Sequence, residues 1–203
     1  MIITISGAKG GVAKTTTAIH LAEYLSRGEG EVLLMDNDPS RFAIEYSRNS
    51  EGRGLGFDVL SQSAAMNKIH RYSHLVIDTE ARPSRDDVAE LAEGCDLMVV
   101  PCPPAAMPLA GLALFADMVG SVKNWSALLT MVPPLPNRQG EETRAALEDA
   151  GFPVFRGEIP RSVLFDHASR EGVPVSEMGP RGKALWSAYA AIGEEIDEWQ
   201  QQR

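Results

Sequence analysis

Residues 9–16 read Lys-Gly-Gly-Val-Ala-Lys-Thr-Thr. The run follows an apolar, β-branched start, Met1-Ile2-Ile3-Thr4-Ile5, and opens a helix-like stretch from Thr16 to Arg27. A glycine-rich turn between strand and helix presents backbone N–H groups to an anion, and the helix N-terminus adds partial positive charge. In that setting Lys14 reaches the distal phosphates of a nucleotide, and the Thr15 hydroxyl takes a place on Mg²⁺. A glycine turn with two solvated lysines is the plainer alternative, and the strand–turn–helix context argues against it.

Outward from the loop, apolar runs alternate with helical patterns. The strand-like runs are 2–6, 32–36, 57–60, 75–78, 96–101 and 128–132. Most are short and nearly unbroken in apolar character, as strands buried on both faces of a parallel sheet are. Helical patterns cover 16–27, 41–48, 64–71, 85–93, 109–119, 141–150, 163–171 and 183–200. The alternation predicts a single α/β domain over residues 1–203, a mostly parallel twisted sheet with helices on both faces. The Pro-rich pieces 101–108 and 132–136 read as loops at strand C-terminal ends, the edge where open α/β sheets bind ligands.

Composition narrows the classes. The 203 residues suit one domain, and 44% hydrophobic residues supply a core. Cys95 and Cys102 lie in or beside an apolar run with no histidine cluster nearby, which speaks for buried thiols in a reducing cytoplasm and against zinc. No signal peptide and no apolar run of membrane-spanning length are expected. The formal charge of −9 means that any nucleic-acid contact comes from a local patch.

Two more segments follow strand-like runs. Asp36-Asn37-Asp38-Pro39 places two carboxylates after Val32–Met35. Leu75-Val76-Ile77-Asp78 ends an apolar run in an aspartate, the form of a Walker B strand that holds Mg²⁺. An Asx turn ending a strand is the bland reading of the first segment.

The plain pattern G-x-x-x-x-G-K-[ST] is not met, because Ala8 and Ala13 stand at its glycine positions. The loop is instead K-G-G-x-x-K-[ST], with Lys9 five residues before Lys14. It closely resembles the deviant Walker A motif of the ParA/MinD family of P-loop ATPases. The resemblance extends over nearly the whole chain, most specifically at 5–20, 34–40 and 74–83. It resumes at Ile159-Pro160-Arg161 and at Gly172–Val175. Asp36–Pro39 is similar to the family's D-x-D-P-Q, with Ser40 for glutamine, and Glu80 follows Asp78-Thr79 where proline or alanine is usual. Ala13 replaces the usual glycine, which fits if the torsions there are already helical.

The resemblance implies ATP and Mg²⁺ as cofactors and slow, partner-stimulated ATP hydrolysis. Its nucleotide contacts are Lys9, Gly10, Gly11, Val12, Ala13, Lys14, Thr15 and Thr16, with Thr130 on the adenine side. The metal set is Thr15, Asp36 and Asp78. Lys9, Lys14 and Asp38 are the catalytic group. Lys9 is implied to reach the partner's nucleotide in an ATP-sandwich homodimer, and Asp38 to orient the attacking water.

Small partition and positioning members bind nonspecific DNA when ATP-bound and carry cargo through an adaptor protein. The chain is similar to the small type that lacks a helix-turn-helix domain. Candidate DNA contacts are Arg156, Arg161, Arg170, Arg181 and Lys183. The acidic tail 192–203 disfavours the membrane docking of MinD-like members. A cytoplasmic, nucleoid-associated protein is therefore expected. The alternatives are a DNA-free regulatory ATPase of the MinD-like group and a small-molecule ligase of the dethiobiotin synthetase type.

Overall fold

A computed structural model describes residues 1–203 apart from 8, 51–52, 82, 105–107, 121–123 and 203. Ala8, Arg82, Arg203 and part of the expected 101–108 loop therefore lie outside the described residues.

Seven strands form one sheet in the order β3-β2-β4-β1-β5-β6-β7. They are β1 (Ile2–Ile5), β2 (Val32–Asp36), β3 (Asp58–Ser61), β4 (His74–Asp78), β5 (Leu97–Cys102), β6 (Trp125–Val132) and β7 (Val154–Pro160). Every pairing is parallel. The helices are α1 (Lys14–Ser26), α2 (Phe42–Arg48), α3 (Gln62–Ala65), α4 (Arg85–Gly94), α5 (Pro108–Val119), α6 (Gln139–Asp149), α7 (Leu164–Glu171) and α8 (Gly179–Gln201).

The apolar runs of the central strands follow from burial on both faces. On one face Ile3, Ile5, Leu34, Val76, Val99 and Leu128 pack with Ala18, Ile19 and Ala22 of α1 and Tyr189, Ile192 and Ile196 of α8. Strand neighbours point the other way. Met98, Val100, Ala127 and Leu129 meet Val88, Leu112, Phe115 and Leu147 of α4 to α6, and Leu33, Met35, Leu75 and Ile77 meet Ala65. The period of two along each strand therefore serves two helix layers.

β1 is central, with β4 on one side and β5 on the other. The chain leaves β1 toward β2 on the β4 side and later builds β5 to β7 on the opposite side. The C-terminal end of β1 thus lies where the strand order reverses, the position at which such sheets hold ligands.

Three elements differ from the sequence expectation. β7 was not foreseen, because Arg156, Gly157 and Glu158 interrupt its apolar pattern. It is an edge strand with a shifted register to β6, so only part of it needs to be apolar. The helix expected over 64–71 is a four-residue α3, capped by Ser61, followed by a 3₁₀ turn at Ile69–Arg71. Met66 and Ile69 are exposed, so no apolar face holds a longer helix in place. α8 begins at Gly179, four residues before the expected start, with proline in its first turn.

Candidate functional site

The loop between β1 and α1 occupies the strand-order reversal. Gly11 has φ +70°, a left-handed conformation open to glycine, and Lys9, Gly10 and Gly11 are exposed. Val12 is buried, and its carbonyl accepts the Thr130 hydroxyl at 3.0 Å. Ala13 is left-handed too, at φ 70° and ψ 32°. This corrects the expectation of helical torsions there: Ala13 is the residue before the helix and takes the glycine-type conformation itself. Helical bonding starts immediately after it, with the Thr17 amide donating to the Ala13 carbonyl at 2.9 Å.

Lys14 is the first helical residue and only 7% exposed. Its Nζ donates to the Lys9 carbonyl at 3.2 Å, which folds the ammonium back over the loop. Burial lowers its pKa, and Asp78 and Asp38 oppose that shift. The Thr15 hydroxyl donates to Asp78 Oδ2 at 2.7 Å. Asp78 is fully buried at the end of β4, and its Oδ1 has no hydrogen-bond partner. Burial raises the Asp78 pKa to about 7, with Asp36 adding to the rise and Thr15 and Lys14 opposing it. The lysine is pushed down and the carboxyl up although they attract, so desolvation outweighs their pairing.

This chemistry fits a divalent cation. Among the described residues no three His, Cys, Asp or Glu side chains are grouped to hold a metal alone. The Thr15 hydroxyl and the unpartnered Asp78 oxygen supply a hard-oxygen pair, and phosphate oxygens complete such a set in nucleotide sites.

Asp36 and Asp38 leave β2 beside the loop. Asp36 is fully buried, and both its oxygens accept amides, Asp38 N at 3.1 Å and Ile44 N at 3.0 Å. Arg41, itself left-handed at φ 56°, donates to the Asp36 carbonyl at 2.5 Å. Asp36 therefore shapes the β2–α2 loop. Asp38 is half-buried, and its Oδ1 accepts the Ser40 amide at 2.8 Å and the Ser40 hydroxyl at 2.5 Å. The Asx turn is real, and it orients a carboxylate that lies within electrostatic reach of Lys14. The Asn37 amide donates to the Asp78 carbonyl at 2.9 Å, fastening this loop to β4.

A cleft of about 350 Å³ flanks the loop, lined by Gly11, Ala13 and Thr16 on one side and Pro160, Arg161 and Phe165 on the other. Thr130 does not reach it: fully buried, it supports the loop from below. The left-handed torsion of Met131, φ 52°, brings that residue to the cleft instead. Arg161, grouped in the sequence with DNA contacts, also lines the cleft, and its amide donates to the Val132 carbonyl at 2.8 Å. The sequence did not single out Ser162 and Phe165 as cleft residues. Their one signal was the Ile159-Pro160-Arg161 resemblance.

Glu80 lines another cleft, of about 550 Å³, with Asn37, Gln62 and Glu90; among the described residues none of the phosphate loop lines that cleft. Arg156 pairs with Glu195 at 3.5 Å and Glu198 at 2.5 Å. Arg170, Arg181 and Lys183 are exposed, and among the described residues they make no ion pair. No helix of the described residues is long and apolar enough to cross a membrane.

Comparison with known proteins agrees with this geometry. The CobQ/CobB/MinD/ParA nucleotide binding domain matches residues 3–175. The chain is 29% identical to the maintenance of carboxysome distribution protein A of Gloeobacter kilaueensis, over 98% of this chain and 95% of that protein. It is 26% identical to the chromosome partitioning protein ParA of Myxococcus xanthus, over 96% and 87%. Its fold matches a Cyanothece McdA–ATP complex with TM-score 0.75 at 13% identity, covering 97% and 96% of the two chains. The chain belongs to the CobQ/CobB/MinD/ParA family of nucleotide-binding domains.

Proposed function

From that membership we propose that the chain is an ATP-hydrolysing partition or positioning protein that works as an ATP-sandwich homodimer. ATP is held by the loop amides and Lys14, with Mg²⁺ held by Thr15 and Asp78. The metal neutralises phosphate charge when bound. Lys14 adds a buried cation at the same phosphates, and Asp38, oriented by Ser40, positions the attacking water. Asp36 keeps Asp38 in place through its amide. Two relatives matched along 95% and 87% of their length carry names of carboxysome distribution and chromosome partitioning, which supports a cargo delivered through an adaptor protein. Nonspecific DNA is the matrix this reading assigns.

One observation carries the dimer. The loop holds two lysines with opposite placements: Lys14 is folded into the cradle, whereas Lys9 is exposed at its rim. A rim cation suits a phosphate presented by a second copy, where it stabilises charge in trans.

Lys9→Ala is expected to keep nucleotide affinity and to lose ATP-driven dimerisation. Facing triphosphates without cross-interface cations repel by several kcal/mol, an order-of-magnitude Coulomb figure. Light scattering with a slowly hydrolysed ATP analogue, on wild type and variant in parallel, is the test. Equal dimerisation of both would remove the sandwich dimer from this reading.

A further inference from the structure

His20 sits on α1, four residues beyond Thr16, and is wholly buried. Its Nδ1 lies 2.7 Å from the Thr16 carbonyl, and its Nε2 lies 3.1 Å from the Val175 amide nitrogen. A carbonyl only accepts and an amide N–H only donates. The ring is therefore neutral, with its proton on Nδ1. It stacks on Tyr189 with centroids 4.7 Å apart and planes at 13°, and meets Phe165 edge-on at 5.4 Å. The Tyr189 hydroxyl lies 3.2 Å from the Thr17 hydroxyl.

These contacts join two walls. Thr16 belongs to the near wall of the cleft, on the helix that presents Lys14 and Thr15. Phe165 and Tyr189 belong to its far wall, on α7 and α8. Val175 lies in the 3₁₀ turn between those two helices. One imidazole thus touches the phosphate-loop helix, the turn behind the far wall and both aromatic rings of that wall.

We infer that His20 is a positioning residue for the nucleoside half of the site: its bridging ring sets the separation between the phosphate-loop helix and the α7–α8 wall. The inference rests on the nucleotide reading proposed above. His20 itself does not line the cleft, so it acts through Thr16, Phe165 and Tyr189. A buried polar bridge with both partners satisfied is rigid, and a ring that lost either partner would leave a buried group unpaired.

The test compares ligands that differ only in the part the far wall faces. Calorimetric titrations with ADP and with tripolyphosphate, both with Mg²⁺, are run on wild type, His20→Phe and His20→Gln. Phenylalanine keeps an aromatic ring but leaves the Val175 amide without an acceptor. Glutamine donates to Thr16 and accepts from Val175. The expected result is an ADP affinity weakened about tenfold in His20→Phe, with tripolyphosphate affinity unchanged. His20→Gln is expected to return ADP affinity toward wild type.

Equal loss of both ligands, or no loss of ADP, would overturn the inference. If His20→Phe does not fold, His20→Asn serves, since its shorter amide reaches one partner only. Its ratio of ADP to tripolyphosphate affinity must fall, and an unchanged ratio overturns the inference. Wild type that binds neither ligand would instead overturn the nucleotide reading and this inference with it.

Discussion

At the scale of single residues, Ala13 and His20 each carry a measurable consequence. Ala13 holds a left-handed backbone that L-residues resist. The strain is about 1–2 kcal/mol. Glycine would remove it, while adding about 0.5–1 kcal/mol of unfolded-state entropy. Strain wins, so Ala13→Gly is expected to raise stability by about 0.5–1 kcal/mol. Urea unfolding monitored by circular dichroism measures this, and a lower midpoint at unchanged slope would show that Ala13 is unstrained. His20 carries a pH dependence. Burial lowers its pKa from 6.5 to about 4, with the Thr16 carbonyl opposing. The unfolded chain then binds the proton that the folded chain refuses. Its contribution is complete above pH 6.5 and is lost as pH falls toward 4, by roughly 3 kcal/mol in all. Asp78 works oppositely, because its raised pKa favours the folded state on the acid side. That slope is common to wild type and His20→Gln and cancels between them. The difference in their unfolding free energies should therefore change across pH 4–6.5 and stay flat above it. Parallel profiles across that window would mean that the ring is not held neutral.

At the scale of elements, the acidic character of α8 has a packing use. Glu195 accepts the Arg156 amide at 2.8 Å and the Gly157 amide at 2.6 Å, so one carboxylate supplies hydrogen bonds along the open edge of β7. Gly157 permits this, since a Cβ there would lie 2.7 Å from Ile192 Cδ1. Tyr24 of α1 donates to Asp197 at 2.6 Å from the other side. Glu195→Ala leaves the part-buried Gly157 amide without its acceptor and is expected to cost about 1 kcal/mol. Arg156→Ala removes only a surface pair, since its side chain is 70% exposed, and should cost less than Glu195→Ala. Thermal unfolding of the two variants gives the order, and a larger effect from Arg156→Ala would reverse this account. The same elements show what the sequence made legible. Two-sided burial writes itself as unbroken apolar runs, so β1, β2, β4 and β5 were readable to within a residue or two. The strand–glycine–helix grammar pointed to Lys14 and Thr15, and the apolar run ending in an aspartate pointed to Asp78, which accepts the Thr15 hydroxyl in the structure. In β7 Arg156, Gly157 and Glu158 break the apolar run, so that strand was not legible, nor was the cleft wall at Phe165. The surroundings of Thr130 and Arg161 were not legible for a related reason. Which way a side chain leaves a strand end depends on local torsions, such as the left-handed turn at Met131, that residue types do not announce.

At the scale of the whole molecule, a net charge of −9 sets the terms of the DNA contact proposed above. An acidic protein is repelled by a polyanion at long range, so attachment requires a local group of cations not already neutralised. The structure divides the five candidates on that ground. Arg156 faces Glu195 and Glu198, and Arg161 lines the cleft beside the phosphate loop. Arg170, Arg181 and Lys183 remain exposed and outside the ion pairs of the described residues. If the proposed dimer presents these cations from both copies to one duplex, attachment strengthens on dimerisation through avidity. The double variant Arg181→Ala, Lys183→Ala is therefore expected to weaken binding of the ATP-loaded protein to random-sequence duplex. The slope of log affinity against log salt should become shallower by about 0.9 for each phosphate that the variant no longer neutralises. Arg156→Ala should leave both unchanged, and Arg161→Ala should weaken nucleotide affinity first and DNA only through it. Fluorescence anisotropy across a salt series, with ATP and with ADP, separates these outcomes. A salt slope that falls with Arg156→Ala and not with the double variant would move the DNA surface to the β7 edge, and a wild-type dimer without DNA affinity at low salt would leave a nucleotide switch that acts on protein partners alone.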